Sequence, residues 1–574
     1  MKPSPKAVRT FLFSTLFFLF LTWTAALPSA SAQTIEVTSA NPSSAAQGTV
    51  NLNVTVKGKG FKNGAQAKWF VTGTTNPSGV TVNSTTFVSG SELSANITVA
   101  DDATIADFDI AVVNTNGRSG KGTELFAVTA KGGGNQNSCP ALTPMLTAAN
   151  NCTTTLPGCL DVTFGSTGVV LTDTTGGVDY QLDFEQAITP LLQPDGKIVA
   201  VGYSRNNGSS TGVDFTLVRY NIDGSLDTTF GSGGIARDAA TSADDRVETA
   251  ALQPDGKILA AGDSTGGIVV VARFNPDGTL DATFGAGGNV LLSSPSRKIG
   301  WSAYSVAVQT DGKILLGTYG YGAVVRLNSN GSLDTTFGNG GIVAVEGTAS
   351  GLATQRFTWG TVTEERILVV DGSRAATGGQ TSDFLVMRLM PNGTVDTSFG
   401  PSGTGKIYTD FCTSNDGPRA MAVDAAGNIV VAGSAGAEFG IARYTPGGIP
   451  DSSFGDPISG SSQRTGKTRV DFFGSWDQGW GVVVQPDGKL VIGGNVEKPD
   501  PNYYVVYFAL ARFNADGTLD TSFGTGGVVA TDYGTPAGND FGRRLVLQPD
   551  GKIVIVGAAA ANGTMNFAVA RYWH

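Results

Sequence analysis

One hexapeptide sets the terms for everything else this chain can fold into. LDVTFG, LDTTFG, LDATFG, LDTTFG, VDTSFG, PDSSFG and LDTSFG begin at residues 160, 226, 280, 333, 395, 450 and 519, a mean spacing of about sixty residues. A fixed period of this kind marks a repeat architecture, in which each unit is one supersecondary element that buries its apolar faces only against its neighbours. Two further phrases share the period. QPDGKIVAVG, QPDGKILAAG, QTDGKILLG, QPDGKLVIGG and QPDGKIVIVG begin at residues 193, 253, 309, 485 and 548, with eroded copies in VVDGSRAATGG near Val369 and DAAGNIVVAG from Asp424. LVRYNIDG, VARFNPDG, VVRLNSNG, VMRLMPNG, IARYTPGG, LARFNADG and a final VARYWH form the third series.

The chemistry of these phrases is that of strands and tight turns. In Q-P-D-G-K, Pro presets φ for the first turn position, Asp suits the second and Gly takes the left-handed third. The result is a three-residue hairpin loop closing on a Gln–Lys pair, and N-P-D-G-T repeats the device. With 79 Gly, and with Val, Thr and Phe frequent, the composition suits strands better than helices. Each repeat therefore reads as four strands: A, an AxALxLQ phrase; B, KIVVAG; C, FALARY; and D, around LDxxFG and GIVxTD. Small residues recur on A (Ala187, Ala303, Gly479, Gly542), as crowding round an axis requires. The predicted fold is an all-β chain with a seven-bladed β-propeller.

Charge spacing gives the ring closure. Arg219 and Asp227, Arg273 and Asp281, Arg326 and Asp334, Arg388 and Asp396, Arg443 and Asp451, and Arg512 and Asp520 are all separated by eight. In the hairpin register this places opposite charges directly across strands, each pair contributing roughly 0.2–1 kcal/mol. Arg571 has no Asp after it and Asp161 has no Arg before it. If the ring closes, these two pair, and the N-terminal repeat fragment supplies the outer strand of the last blade, leaving no open sheet edge. Seven copies of one Arg–Asp pair read as architecture, not as an active site.

On these motifs the array resembles the delta-60 repeat family of bacterial exported proteins, over about 415 residues, and it is similar in layout to NHL propeller repeats. Both resemblances imply a β-propeller, and neither carries a catalytic residue that can be placed here.

Upstream, the pattern changes. Residues 1–32 read as a secretory signal: Lys2, Lys6 and Arg9, an apolar Phe11–Trp23 core, and an A-x-A site at Ala30–Ala32. Its removal takes the formal charge from −10 to −13, which disfavours nucleic acid as a partner. No second spanning apolar run follows, so the expected location is outside the cytoplasm or on the cell surface. Residues 34–130 alternate polar and apolar in short segments such as NLNVTV and predict a small antiparallel sandwich. NPSSAAQGT, VKGKGF and ELSANITVADDA resemble bacterial IPT/TIG immunoglobulin-like domains. Residues 131–158 form a linker that begins with the flexible KGGGNQNS and contains Cys139 and Cys152; Cys159 and Cys412 lie in the propeller, residues 159–574. Four Cys allow three connectivities, with a local staple in the linker region one of them. With one His, at the terminus, a Cys/His metal site and Ser–His–Asp or Cys–His catalysis find no residues; no cofactor is expected.

Function is expected on one face. The stereotyped turns join A to B and C to D; every length variation falls in the B–C and D–A loops at the opposite end, where binding residues are usually placed. Trp301, Trp359, Trp476 and Trp480 are assigned to D–A loops, with Tyr304, Tyr319, Tyr321, Tyr503 and Tyr504 in or beside loops of the same face. Their rings can stack on sugars or anchor a protein, or instead fill gaps between blades. Asp183, Glu185, Asp245, Arg246, Arg419, Asp477, Asp540, Arg543 and Arg544 add charge there. The binding candidates are Trp301, Tyr304, Trp359, Trp476, Trp480, Asp245, Arg246 and Arg543. Three functions fit: recognition of an extracellular glycan or protein, carboxylate-dependent hydrolysis or lysis of a saccharide or lactone, or a structural surface component.

Overall fold

In the computed structural model, residues 34–574 are described apart from 101–102, 130–141, 151, 176–184, 206–211, 294–298, 360–361, 375–381, 402, 412–414, 460, 501–503, 534–538 and 562–563. The expected leader, the glycine-rich part of the linker, Cys139, Asp183, Cys412 and Tyr503 lie outside the described residues, as does the side chain of Trp359.

Alternating sequence builds the N-terminal sandwich. Glu92–Val99 buries every second side chain, which is what a strand with one face on a core must do. One sheet orders Glu36–Asn41, Leu52–Lys59, Glu92–Val99 and Val80–Ser89; the other orders Ser44–Ala46, Ser119–Thr129, Ala106–Val113 and Gln66–Val71. Val54, Trp69, Leu93, Phe108 and Phe126 fill the space between them. The pairing departs from the expected antiparallel pattern at one place, where Ser44–Ala46 runs parallel to Ser119–Thr129.

The repeat array forms seven four-stranded sheets, each an antiparallel A–B–C–D meander. The A strands are Glu185–Leu192, Asp245–Leu252, Ser302–Val308, Gly351–Trp359, Asp416–Val423, Asp477–Val484 and Phe541–Leu547. B and C strands are buried nearly throughout; in blade 1, Val213–Tyr220 is buried at every position. Apolar side chains pack from one blade to the next, as Val199, Leu217 and Phe230 of blade 1 do with Ala250, Ile258 and Phe274 of blade 2.

Blade 7 is completed by Val169–Thr172, which pairs with Thr564–Tyr572 as its outer strand. Arg571 Nε donates to Asp161 Oδ2 at 2.7 Å, and Lys552 Nζ lies 3.3 Å from the same carboxylate. The six other pairs repeat this geometry at 2.7–2.8 Å, each guanidinium lying over the Phe of its own xxFG phrase. The pair also reaches across blades. Arg219 Nη1 donates to Pro276 O of the next C–D turn, and Arg571 Nη1 to Ile222 O of blade 1. The turns match expectation: Gly196 sits at φ +85°, and Gln193 and Lys197 close the loop.

Two sequence assignments change. In blade 4 the A–B turn is not the VVDGSR segment, which lies in strand B (Val362–Arg374). Gln355 and Arg366 take the places of the usual turn Gln and Lys: Arg388 bonds Gln355, and Arg366 bonds Asp396. The hairpin between them is longer than QPDGK, and Trp359 pairs with Val362 at its tip. Trp359 therefore lies at the A–B end, not in a D–A loop. Residues 145–150 of the expected linker run along blade 6: Leu146 N bonds Phe472 O, and Asn150 bonds Ala530. Cys152 and Cys159 form a disulfide, the local staple.

Candidate functional site

The A strands line the axis, and six of them carry a β-bulge at the same height. Pairing with strand B breaks between Ala187 and Thr189, Val247 and Thr249, Ala303 and Ser305, Pro418 and Ala420, Gly479 and Gly481, and Gly542 and Leu545. The extra residues are Ile188, Glu248, Tyr304, Arg419, Trp480 and the pair Arg543–Arg544. Strand A of blade 4 pairs without a break. A bulge re-aims the side chain it carries, and here the bulged side chains converge on the axis.

The backbone cost of the bulge is met by one glycine in five of the six blades that carry it. It pushes a strand-A carbonyl into strand B, so that a Cβ on Gly202, Gly262, Gly433, Gly494 or Gly557 would stand 1.8–2.2 Å from the oxygen of Gln186, Arg246, Gly417, Gln478 or Phe541. These are the closing glycines of KIVAVG, KILAAG, NIVVAG, KLVIGG and KIVIVG. Blade 3 has Thr318 opposite Ala303 instead.

Five of the bulges enclose a cavity of about 160 Å³, lined by Ile188, Glu248, Tyr304, Trp480, Arg543 and Arg544 with Gln186 and Tyr203. A second cavity of about 150 Å³ follows along the A strands and shares Arg544; Arg419, Thr249, Ser305 and Ser350 help to line it. The guanidinium carbons of Arg419 and Arg543 lie 4.3 and 4.4 Å from the Trp480 ring centre. Trp480 Nε1 donates to Asn495 Oδ1 at 3.0 Å. Arg543 Nη2 donates to Gln186 Oε1, and Arg544 donates to Thr249 Oγ1 and Tyr304 O. Burial, with Asp263 nearby, pushes the Glu248 carboxyl up to about 7 against the pull of Arg543, Arg544 and Arg246. Burial lowers Arg544 to about 10 and raises Tyr304 to about 12. These groups are half-buried and stand deep inside the ring, which weakens their hydration.

An aromatic run climbs from the cavity to the rim of blade 3. Tyr304 stacks on Tyr319 with centres 4.9 Å apart, and Trp301 meets Tyr319 and Tyr321 edge-on at 5.6 and 5.7 Å. Trp301, Tyr319 and Tyr321 are all exposed.

Of the sequence candidates, the structure brings Tyr304, Trp480 and Arg543 together in the cavity and joins Trp301 to them through Tyr319. It does not bring Trp476, Asp245, Arg246 or Trp359 there. Trp476 is exposed just before strand A of blade 6, and Trp480 lies in that strand instead of a D–A loop. Asp245 is fully buried and accepts from Thr241 N and Oγ1 at 2.8 Å. Glu185, Asp416, Asp477 and Asp540 do the same for their own D–A loops, bonding the backbone N–H of Thr174, Phe411, Phe472 and Tyr533. These acids hold loops; they are not solvated charge. Arg246 points toward Asp244 at 3.9 Å. Ile188 and Glu248 escaped the sequence reading, and the glycine opposite each bulge was the signal available for them.

Two other features stand apart from this chemistry. Asp383, Asp410 and Asp416 bring carboxylate oxygens within 4.8 Å of one another, with Lys467 supplying positive charge beside Asp410 and Asp416. A larger cavity, about 420 Å³, lies between the sandwich and the C–D end of blades 4 and 5; Ser43, Asp107, Glu124, Phe126, Ser398 and Gly403 are among its lining.

The ring defines the class: this is a β-propeller protein. Seven segments, residues 193–230, 253–284, 309–337, 366–399, 427–454, 485–523 and 548–573, match the family described as "Domain of unknown function (DUF5122) beta-propeller", one per blade. No curated protein matches the chain. Among solved structures, it is similar to Drosophila Plexin A in complex with Semaphorin 1b (11% identity, TM-score 0.29, 68% of this chain and 88% of that one). It is also similar to a DUF4784 family protein from Bacteroides caccae (11%, 0.24, 75% and 98%) and a putative glycoside hydrolase from Parabacteroides distasonis (13%, 0.22, 70% and 96%). Among the described residues no helix is long and apolar enough to cross a membrane.

Proposed function

We propose that this chain is an extracellular binding protein whose propeller recognises a glycan at the axial cavity. The domain plan is a leader over residues 1–32, an IPT/TIG-like immunoglobulin sandwich over 34–130, a linker over 131–158 and a delta-60-type propeller over 159–574. The observation that carries the reading is the aromatic run from Trp301 and Tyr321 through Tyr319 to Tyr304, which ends in a polar cavity. Aromatic faces pack on the C–H faces of sugar rings while polar groups take the hydroxyls. The cavity is concave and smaller than the ~300–1,000 Å³ of drug-sized sites, so it takes one end of a saccharide; a flat protein surface has no such end to offer. Glu248 is the one carboxylate among the described lining residues, which favours binding over hydrolysis by paired carboxylates.

The test is a glycan array probed with the mature chain, alongside Trp480→Ala, Tyr304→Ala and Trp359→Ala. Binding to at least one saccharide class is expected, weakened about ten-fold or more by the first two changes and untouched by the third, which alters the opposite end of the ring. Failure to bind any saccharide, or loss through Trp359→Ala alone, overturns the reading.

A further inference from the structure

Charge in the axial site runs against that of the molecule. The chain carries a formal −10, yet the two axial cavities are lined by three guanidiniums, Arg419, Arg543 and Arg544, and one carboxylate, Glu248. Elsewhere in the propeller a buried Arg has an Asp against its Nε, seven times over. Among the described residues none of these three has a carboxylate within 4.0 Å. Their partners are neutral oxygens of Gln186, Thr249 and Tyr304 and the face of Trp480. Arg543 Nε is buried and has no hydrogen-bond partner. A guanidinium taken out of bulk water is costly unless it is paired and hydrogen-bonded. Two of them, Arg543 and Arg544, on one cavity, with Arg419 on the cavity that adjoins it and a donor of Arg543 still free, are a site waiting for an anion.

The surroundings narrow the anion. A guanidinium fork matches a planar carboxylate in two parallel hydrogen bonds. Arg419 and Arg543 both rest on Trp480, so their planes are held before a ligand arrives. The first cavity is also walled by Ile188, Tyr203 and Tyr304, which stacks on Tyr319, a lining that suits a ring and offers little to a small hydrated ion. Glu248 can accept from a hydroxyl.

We propose that the cavity binds an acidic sugar, a uronic acid residue, with its carboxylate on Arg543, whose Nε has no hydrogen-bond partner, and its ring against Tyr304. The proposal rests on the glycan reading and sharpens it to one substrate class.

The experiment compares chemical twins. Methyl galacturonoside and methyl glucuronoside are titrated by ligand-observed NMR against methyl galactoside and methyl glucoside, which differ only in carrying CH2OH for the carboxylate. Sulfate and inorganic phosphate are titrated as bare anions. Each uronoside is expected to bind about ten-fold or more tightly than its twin at low salt, with the ratio shrinking as salt is added. Arg543→Gln is expected to bring the ratio close to one; Arg543→Lys restores part of it. The wild-type ratio decides the matter even where a variant folds poorly. A ratio near one overturns the acidic-sugar assignment and leaves the glycan reading standing. Sulfate or phosphate binding as tightly as the uronosides also overturns it. No binding by any of the four sugars, with an empty glycan array, overturns both.

Discussion

Gly493 and Gly494 are adjacent, share strand B of blade 6 and meet opposite fates on gaining one methyl group. A Cβ on Gly494 would lie 1.9 Å from Gln478 O and 2.9 Å from Gln478 C. Both are backbone atoms of the bulge that carries Trp480. Contacts under 3.0 Å essentially never occur, so the carbonyl must retreat by about 1.1 Å. It can retreat only by flattening the bulge, and loss of the extra residue sends Trp480 to the other face of the strand. A Cβ on Gly493 would instead meet Ile555 Cδ1, Leu510 Cδ2 and Leu545 Cδ2 at 3.1–3.2 Å, the far ends of side chains that give by a few tenths of an ångström. Neither glycine has positive φ, so backbone strain is not in play. Gly494→Ala should cost at least the ~1–3 kcal/mol of an overpacked core, and Gly493→Ala less than about 1.5 kcal/mol. The assay is chemical denaturation of both variants with near-UV circular dichroism of the native states. Gly494→Ala should also disturb the aromatic signal and sugar binding, while Gly493→Ala leaves both unchanged. Equal costs, or an intact site in Gly494→Ala, would refute the claim that these glycines exist for the bulge.

Two further outcomes follow from buried charge. Asp161 is fully buried, and removing it strands Arg571 and Lys552; Asp161→Ala should destabilise by about 3–5 kcal/mol. Hydrogen exchange should rise in Val169–Thr172 and Thr564–Tyr572, whereas Asp281→Ala loosens blade 2 alone; unchanged protection at the closure would sink the role given to it. The loop-holding acids make stability fall with rising pH. Burial raises Asp540 and Glu185 to about 7, above their unfolded values near 4, so their contribution is complete below about pH 4 and lost through pH 7. Each should remove about 2–3 kcal/mol between pH 5 and pH 8, opposed below pH 4 by Asp227, Asp281 and Asp520, which their Lys and Arg partners hold far down. Asp540→Asn should flatten the neutral limb of the melting-temperature profile, and an unchanged limb counts against the assignment.

The architecture was legible because it rests on local rules repeated seven times. Turn chemistry fixed the hairpins, and a separation of eight fixed Arg against Asp. The unmatched pair at the two ends then located blade 7's outer strand. Where a repeat lost its turn phrase the reading slipped: DGSR in blade 4 imitates the turn by composition, but Gln355 and Arg366 hold the turn positions. The site was half legible. Aromatic residues near length-variable loops led to Tyr304 and Trp480. Glu248 and Ile188 lie inside a strand, where alternation alone would turn them to the sheet face, and only the bulge brings them to the axis. Loop acids such as Asp245 look solvated in sequence because the N–H groups they cap belong to loops whose course no period dictates.

The bulge explains how one repeat can serve both needs. A propeller repeats its backbone, and repetition works against a site, because every blade then offers the axis the same residue. In six blades the bulge holds a fixed position, and in five of these a glycine on strand B makes room for it, while the residue it carries is free to differ. Around the ring that residue is Ile188, Glu248, Tyr304, Arg419, Trp480 and Arg543–Arg544, with blade 4 contributing none. The architecture constrains strand B, and the chemistry is written on strand A one residue at a time. A substitution at Glu248 should therefore change what the cavity binds at little cost in stability, since among the described residues its side chain makes no hydrogen bond to another blade, whereas Arg543 bonds Gln186 and Arg544 bonds Thr249 and Tyr304. The same substitution at the glycine opposite should cost stability whatever ligand is present.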